Sequence, residues 1–113
     1  MKYSVFSIAP FDRQLKRLAK KYPSLKAEFA TLLETLEKQP QQGVKLIQNC
    51  YKIRLSISSK GKGKSGGARI ITNLIVSEQS VYLLAIYDKS EKDSLTDKEL
   101  NELLKYIEFA IKK

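Results

Sequence analysis

One stretch of the chain reads Tyr51-Lys52-Ile53-Arg54-Leu55-Ser56-Ile57-Ser58, in which apolar side chains alternate with polar or cationic ones. Alternation with a period of two is typical of a strand that buries one face and leaves the other in solvent. The pattern therefore predicts a half-buried strand. Lys52 and Arg54 would then leave its solvent-facing side together.

Two more strands follow this one along the chain. Ile70 to Val76 and Val81 to Tyr87 carry apolar residues on both faces, and the polar turn Ser77-Glu78-Gln79-Ser80 separates them. This pattern predicts a hairpin in the middle of a sheet that is covered on part of each side. The second half of the chain therefore predicts a small antiparallel sheet.

Helical spacing flanks these strands on both sides. A first strand over Lys2 to Ile8 is followed by two apolar stripes, Phe11 to Tyr22 and Leu25 to Leu36, which Pro23 separates into a helical hairpin. Ser24 is placed to cap the second helix. We expect a single α+β domain over residues 1–113, with the order β-α-α-β-β-β-α.

The last helix has the clearest start signal. Thr96 and Glu99 match a capping box, and Leu95 and Leu100 are placed for a hydrophobic staple. Its apolar stripe is predicted to continue to Ile111.

Charge is concentrated in one region of the chain. The formal net charge is +9. One window of the chain contains eight basic residues and no Asp or Glu, whereas the remaining residues include thirteen basic and twelve acidic ones. A block of one sign attracts polyanions more strongly than scattered lysines do. The window runs from Lys38 to Ser77, and its basic residues are Lys38, Lys45, Lys52, Arg54, Lys60, Lys62, Lys64 and Arg69.

Several classes of function are disfavoured by composition. The chain has no histidine, which removes the usual general base and the usual zinc ligand, so we expect no metal and no small-molecule cofactor. Cys50 is the only cysteine and cannot form an internal disulfide. The N-terminus alternates like a strand and no apolar run is long enough for a bilayer, so we expect a cytoplasmic protein without a membrane partner.

A glycine- and lysine-rich segment, Gly61-Lys62-Gly63-Lys64-Ser65-Gly66, formally matches a nucleotide-binding loop. A Walker loop would need glycine where this chain has Ser58, and both nucleotide motifs need a following helix, whereas a strand is predicted here. We interpret the segment as a flexible loop whose lysines, with Lys60, contact phosphates without base specificity. The alternative is a merely flexible hairpin loop.

Arg69 begins the strand after this loop and would join Lys52 and Arg54 if the two strands pair. The alternative is three separate solvated charges at the edge of the sheet.

Three segments together resemble the RelE/ParE superfamily of toxins from type II toxin–antitoxin systems. They are Asn49-Cys50-Tyr51-Lys52-Ile53-Arg54-Leu55, Gly63-Lys64-Ser65-Gly66-Gly67-Ala68-Arg69 and the stretch from Tyr87 to Thr96. The spacing of the last two is most similar to the HigB-like branch. The resemblance extends over nearly the whole chain in the order of its elements.

The resemblance implies a ribosome-dependent endoribonuclease that cuts mRNA in the A site without histidine or metal. It implies catalytic roles for Lys52, Arg54, Arg69 and Lys92, and RNA contacts from Lys60, Lys62, Lys64, Tyr87 and Lys89. Proton transfer stays open among Tyr87, Lys89 and Lys92. It also implies an acidic antitoxin as partner. The alternatives are a ParE-like inhibitor of DNA gyrase and a relative that binds RNA but has lost catalysis.

Overall fold

The computed structural model describes residues 2–60 and 66–113. Within these ranges the helices are α1 (Ala9–Lys21), α2 (Leu25–Lys38) and α3 (Asp97–Leu104). The strands are β1 (Ser4–Ser7), β2 (Val44–Lys45), β3 (Cys50–Leu55), β4 (Ala68–Ile75), β5 (Ser80–Asp88) and β6 (Ile111–Lys112). The α+β class and the predicted order are confirmed, with two-residue strands β2 and β6 added. No described helix is long and apolar enough to cross a membrane.

The strands described form one sheet in the order β2-β3-β4-β5-β1-β6. All neighbouring pairs are antiparallel except β1 and β5, which run parallel. β4 and β5 lie in the interior of the sheet and are buried along nearly all of their length, as their apolar residues on both faces predicted.

The helical hairpin supplies a large part of the core. Pro10 occupies the first turn of α1, where its missing N–H costs no hydrogen bond, and Phe11 follows it into the core. The ring of Phe11 lies 5.6 Å from that of Phe29 in α2. Ser24 does occupy the N-cap position of α2, but its side chain makes no capping hydrogen bond and instead donates to the Glu28 carboxylate.

The C-terminal helix begins as predicted and ends earlier. Thr96 Oγ1 accepts from the Glu99 N–H at 3.1 Å, and the Glu99 side chain accepts from the Thr96 N–H at 3.0 Å, which confirms the capping box. The predicted stripe to Ile111 is wrong, because the helix ends at Leu104 and Ile111 belongs to β6. β6 satisfies backbone groups on the outer edge of β1, which a longer helix would leave unpaired.

Candidate nucleic-acid interface

Three strands carry a row of predicted site residues. Arg54 of β3 is the register partner of Arg69 in β4, and Arg69 is the partner of Tyr87 in β5. Residues directly opposite each other point to the same face of a sheet. Lys52 leaves that face as well, two positions before Arg54. The structure therefore brings Lys52, Arg54, Arg69 and Tyr87 together, and we call this surface the basic face.

The basic face points away from the helical hairpin. Asp88 follows Tyr87 and accepts a hydrogen bond from the Tyr22 hydroxyl, just after α1, at 2.5 Å. Because successive side chains of a strand alternate, Tyr87 points to the opposite side of the sheet from α1. The burial of Tyr51 and Ile53 in the core likewise leaves Lys52 and Arg54 on the free side.

The arginines differ in how firmly they are held. Arg54 is exposed and Lys52 is half-buried, whereas Arg69 is only 4% exposed and its Nη1 donates to the Ala68 carbonyl at 3.1 Å. A guanidinium fixed by burial keeps its position when a ligand arrives. Arg69 is thus the preorganised member of the basic face, whereas the side chains of Arg54 and Lys52 are more accessible.

Residues 89–95, which we call the connector, border the basic face between β5 and α3. Lys89 forms an ion pair with Asp93, and the Tyr87 hydroxyl lies 3.5 Å from the Asp93 backbone carbonyl, to which it donates. The hydrogen bond from Lys89 lowers the pKa of Asp93, and the positive charges of Lys89, Lys52 and Arg69 lower it further. A carboxylate that is ionised at neutral pH therefore lies beside the cations.

Asp93 is the residue that sequence reasoning missed. In the sequence it is one charge among several in the connector, and its spacing of four from Lys89 was the only available signal. Tyr87, in contrast to Asp93, has a raised pKa. Burial raises the pKa of Tyr87 despite the opposing charge of Arg69, and the charges of Asp93 and Glu99 act in the same direction as burial, so the phenol stays protonated at neutral pH.

Lys60 has a different environment from the one predicted. Its side chain is 8% exposed, forms an ion pair with the fully buried Asp88, and lies 5.6 Å from the centroid of the Tyr22 ring. Burial alone would raise the pKa of Asp88, but hydrogen bonds from Lys60, Tyr22 and Ser90 outweigh it and hold the pKa well below its usual range. Lys60 is therefore a largely buried cation paired with Asp88, and its contact with RNA stays a prediction.

The remaining predicted lysines lie at the margin or outside the description. Lys92 pairs with Glu99 at 2.6 Å and lines a groove between α1 and α3, so its catalytic role stays a prediction. Lys89 keeps 33% of its side chain exposed in its ion pair with Asp93. Lys62 and Lys64 lie outside the described residues.

The arrangement of this sheet and its helical hairpin is similar to the fold of two solved structures. The solved structure of the E. coli toxin RelE in the free state, an arginine-to-alanine double mutant, is similar with a TM-score of 0.62 and 15% identity, over 95% of this chain and 99% of that one. The isolated E. coli RelE toxin is similar with a TM-score of 0.57 and 14% identity, over the same shares. No family model matches the chain. At such identities the similarity shows the fold.

Proposed function

We propose that this chain is the toxin of a toxin–antitoxin pair, that it acts in the cytoplasm, and that it cleaves mRNA on the ribosome in the manner of the HigB-like branch. One observation carries the proposal: Arg54, Arg69 and Tyr87 form a row across three strands, with Lys52 on the same face. The RelE-like fold supports it.

The chemistry suits a site made of cations. When a ribose 2′-oxygen attacks the adjacent phosphorus, the O2′–P bond forms, the P–O5′ bond breaks, and a phosphorane with additional negative charge lies between the two. Fixed cationic donors stabilise that charge, and each well-placed donor contributes roughly 3–4 kcal/mol. The burial of Arg69 supports this role for it, and Arg54 would add a second guanidinium from the neighbouring strand.

Proton transfer needs one acceptor and one donor near the phosphorus. Asp93 supplies a carboxylate that is ionised at neutral pH and 84% exposed, so it is accessible to the proton of the 2′-hydroxyl. Tyr87 keeps its proton under the same conditions and fits the donor to the departing 5′-oxygen. We therefore extend the proposed site to Asp93.

An acidic antitoxin completes the proposal. A basic face that binds mRNA would interfere with translation unless it were covered, and a segment rich in Asp and Glu complements it electrostatically. The three described members of the acid-free window on this face are Lys52, Arg54 and Arg69.

The test is induced expression of the wild type beside Lys52→Ala/Arg54→Ala, with growth followed and the 5′ ends of cellular messages mapped. The matched control is Lys38→Ala/Lys45→Ala, which removes the same charge from exposed residues of the same acid-free window. Lys45 pairs in register with Tyr51 and so points to the other face of the sheet. Wild type and control should arrest growth and yield new cuts, and the site variant should do neither.

Purified protein with ribosomes carrying a message then tests whether the cut is direct. Growth arrest without cuts, together with loss of DNA supercoiling, would replace the proposal with a gyrase inhibitor. No arrest, with tight binding to RNA and no product, would replace it with a binding protein that has lost catalysis. Because Arg69 is buried, Arg69→Lys is a better test of this residue than Arg69→Ala. The lysine keeps the positive charge and removes the planar guanidinium with its paired N–H donors.

A further inference from the structure

The second half of β5 has an edge that no described strand covers. β1 pairs with β5 only as far as Ser7 and Leu83, and the last backbone bond on that side runs from the Ile8 N–H to the Leu83 carbonyl. β5 continues to Asp88, whose carbonyl accepts from the N–H groups of Glu91 and Lys92, so residues 84–87 keep an open edge of about 14 Å at the usual rise of a strand. An open edge offers unpaired N–H and C=O groups to an added strand.

This edge forms the floor of a groove of about 750 Å³ between α1 and α3. Four consecutive residues of β5 line it, from Leu84 to Tyr87, as expected where a strand is approached from its edge. α1 runs alongside, because it starts next to the Leu83 carbonyl and ends next to Asp88, which bonds Tyr22. The groove therefore follows the direction of β5.

The two walls of the groove lie on opposite faces of the sheet and carry opposite charges. α1 contributes Arg13 and Arg17 from the face that holds Asp88. α3 contributes Glu99 and Glu102 from the face that holds Tyr87, whose pKa the charge of Glu99 raises. A strand added to the floor would present alternate side chains to these two walls.

The spacing of the charges fits such a strand. Arg13 and Arg17 are four residues apart on a helix, about 6 Å along its axis, and every second residue of a strand is separated by about 6.7 Å. The present partners of these charges are surface ones: Arg17 pairs with Glu91 at 3.0 Å, Glu99 with Lys92 at 2.6 Å and Glu102 with Lys105 at 3.3 Å. Each of these side chains keeps more than a third of its surface exposed. Such pairs are weak enough for a partner's charges to replace.

We propose that this groove binds an extended segment of a partner protein, added as a strand to the open edge of β5, with acidic side chains towards α1 and basic side chains towards α3. The alternation fixes the register, because a slip by one residue would bring like charges together on both walls. Main-chain hydrogen bonds supply affinity and the two walls supply selectivity. A nucleic acid fits poorly, since the wall with Glu99 and Glu102 repels phosphates.

RNA cleavage is assigned to side chains of the basic face, whereas strand binding uses the backbone edge of β5 and the charges of α1 and α3; Tyr87 and Lys92 border both surfaces. The added strand also differs from the acidic segment proposed to cover that face, since the groove requires both signs in alternation. The occupant is therefore defined by a pattern of charge and not by net charge.

The test uses the full chain, labelled with ¹⁵N, and two blocked hexapeptides of equal composition followed by NMR. In Val-Glu-Lys-Glu-Lys-Val the acids share one face of a strand and the bases share the other; in Val-Glu-Glu-Lys-Lys-Val each face carries one of each. We expect the first to shift the amides of residues 84–87 and to bind roughly tenfold more tightly, as loss of several exposed ion pairs would give.

The variant Arg13→Glu/Glu102→Lys reverses one charge on each wall and leaves the net charge unchanged. Both residues are exposed, so the fold is retained, which an unchanged melting temperature verifies. This variant should lose the tenfold preference. Equal affinity of the two peptides for the wild type, shifts confined to other amides, or an unchanged preference in the variant would each overturn the proposal. So would a uridine hexanucleotide that shifts residues 84–87 when the alternating peptide does not.

Discussion

Replacing Lys60 by methionine should cost more stability than any substitution of an exposed lysine. The Lys60 ammonium is the counter-ion of Asp88, whose side chain is completely buried. Methionine keeps the length and most of the apolar stem of lysine, so the change removes the charge and leaves the packing nearly intact. The loss of unfolding free energy should therefore measure the effect of leaving the buried Asp88 carboxylate without its cation.

The expected magnitude follows from what Asp88 retains. Removing one partner of a buried ion pair costs about 3–5 kcal/mol. Asp88 would still accept from the Tyr22 hydroxyl and from the backbone and side chain of Ser90, so we expect about 3 kcal/mol, the lower end. At about 2.1 cal/mol/K per residue, the 113 residues give an unfolding entropy of roughly 0.24 kcal/mol/K. The melting temperature should fall by about 12 °C.

The loss should depend on pH with a definite sign. The folded-state pKa of Asp88 is lowered, so its contribution to stability is fully present above the unfolded-state pKa of about 3.9 and disappears as the pH falls towards the folded-state value. Lys60→Met reduces this contribution. The difference in unfolding free energy between wild type and variant should therefore be largest at neutral pH and should shrink below pH 4.

Urea unfolding followed by far-ultraviolet circular dichroism measures these differences. Lys16→Met is the matched control, because Lys16 is exposed on α1 and makes no ion pair with a described residue; it should change stability by less than about 0.5 kcal/mol. Adding Asp88→Asn to Lys60→Met should cost little more, since the buried charge is then gone. A loss below 1 kcal/mol at pH 7, or one that grows in acid, would refute the reasoning.

Three further predictions concern the basic face and α3. Lys52→Ala/Arg54→Ala should make the plot of log association constant against log salt concentration less steep by about 1.4 for single-stranded RNA, if each cation neutralises one phosphate. Fluorescence anisotropy measures this, and an unchanged slope would mean that the phosphates bind elsewhere. Asp93→Asn should tighten RNA binding roughly threefold and yet slow cleavage at least tenfold, whereas Glu34→Gln should alter neither; parallel changes in both quantities would exclude Asp93 as the acceptor. Thr96→Ala should cost about 1 kcal/mol in urea unfolding through loss of the capping bond, and a neutral result would mean that the capping box adds nothing.

Much of the fold could be predicted because the deciding signals are local. The alternation around Lys52 and Arg54, the two apolar strands and the capping box at Thr96 each describe a few neighbouring residues, and the structure confirms all of them. The parallel pairing of β1 with β5 and the end of α3 at Leu104 could not be predicted. Both depend on which backbone edges the rest of the sheet leaves open, and no local pattern records that.

The charges show the same division between local and distant information. The basic window predicted a polyanion site, and strand pairing does place Lys52, Arg54 and Arg69 on one face. Lys60, from the same window, is neutralised by Asp88, which lies 28 residues away in the sequence. Lys89 and Lys92 likewise meet Asp93 and Glu99.

In the folded protein, acidic residues from outside the acid-free window therefore lie beside its basic residues. Two carboxylates lie beside its cations: Asp88, the last residue of β5, pairs with Lys60, and Asp93, in the connector, lies beside the basic face. A phosphate that approaches the basic face would thus meet Lys52 and Arg69 beside the carboxylate of Asp93. In the proposed mechanism that arrangement binds less tightly than cations alone but supplies the proton acceptor that cations cannot provide, which is why affinity and cleavage should respond to Asp93→Asn with opposite signs.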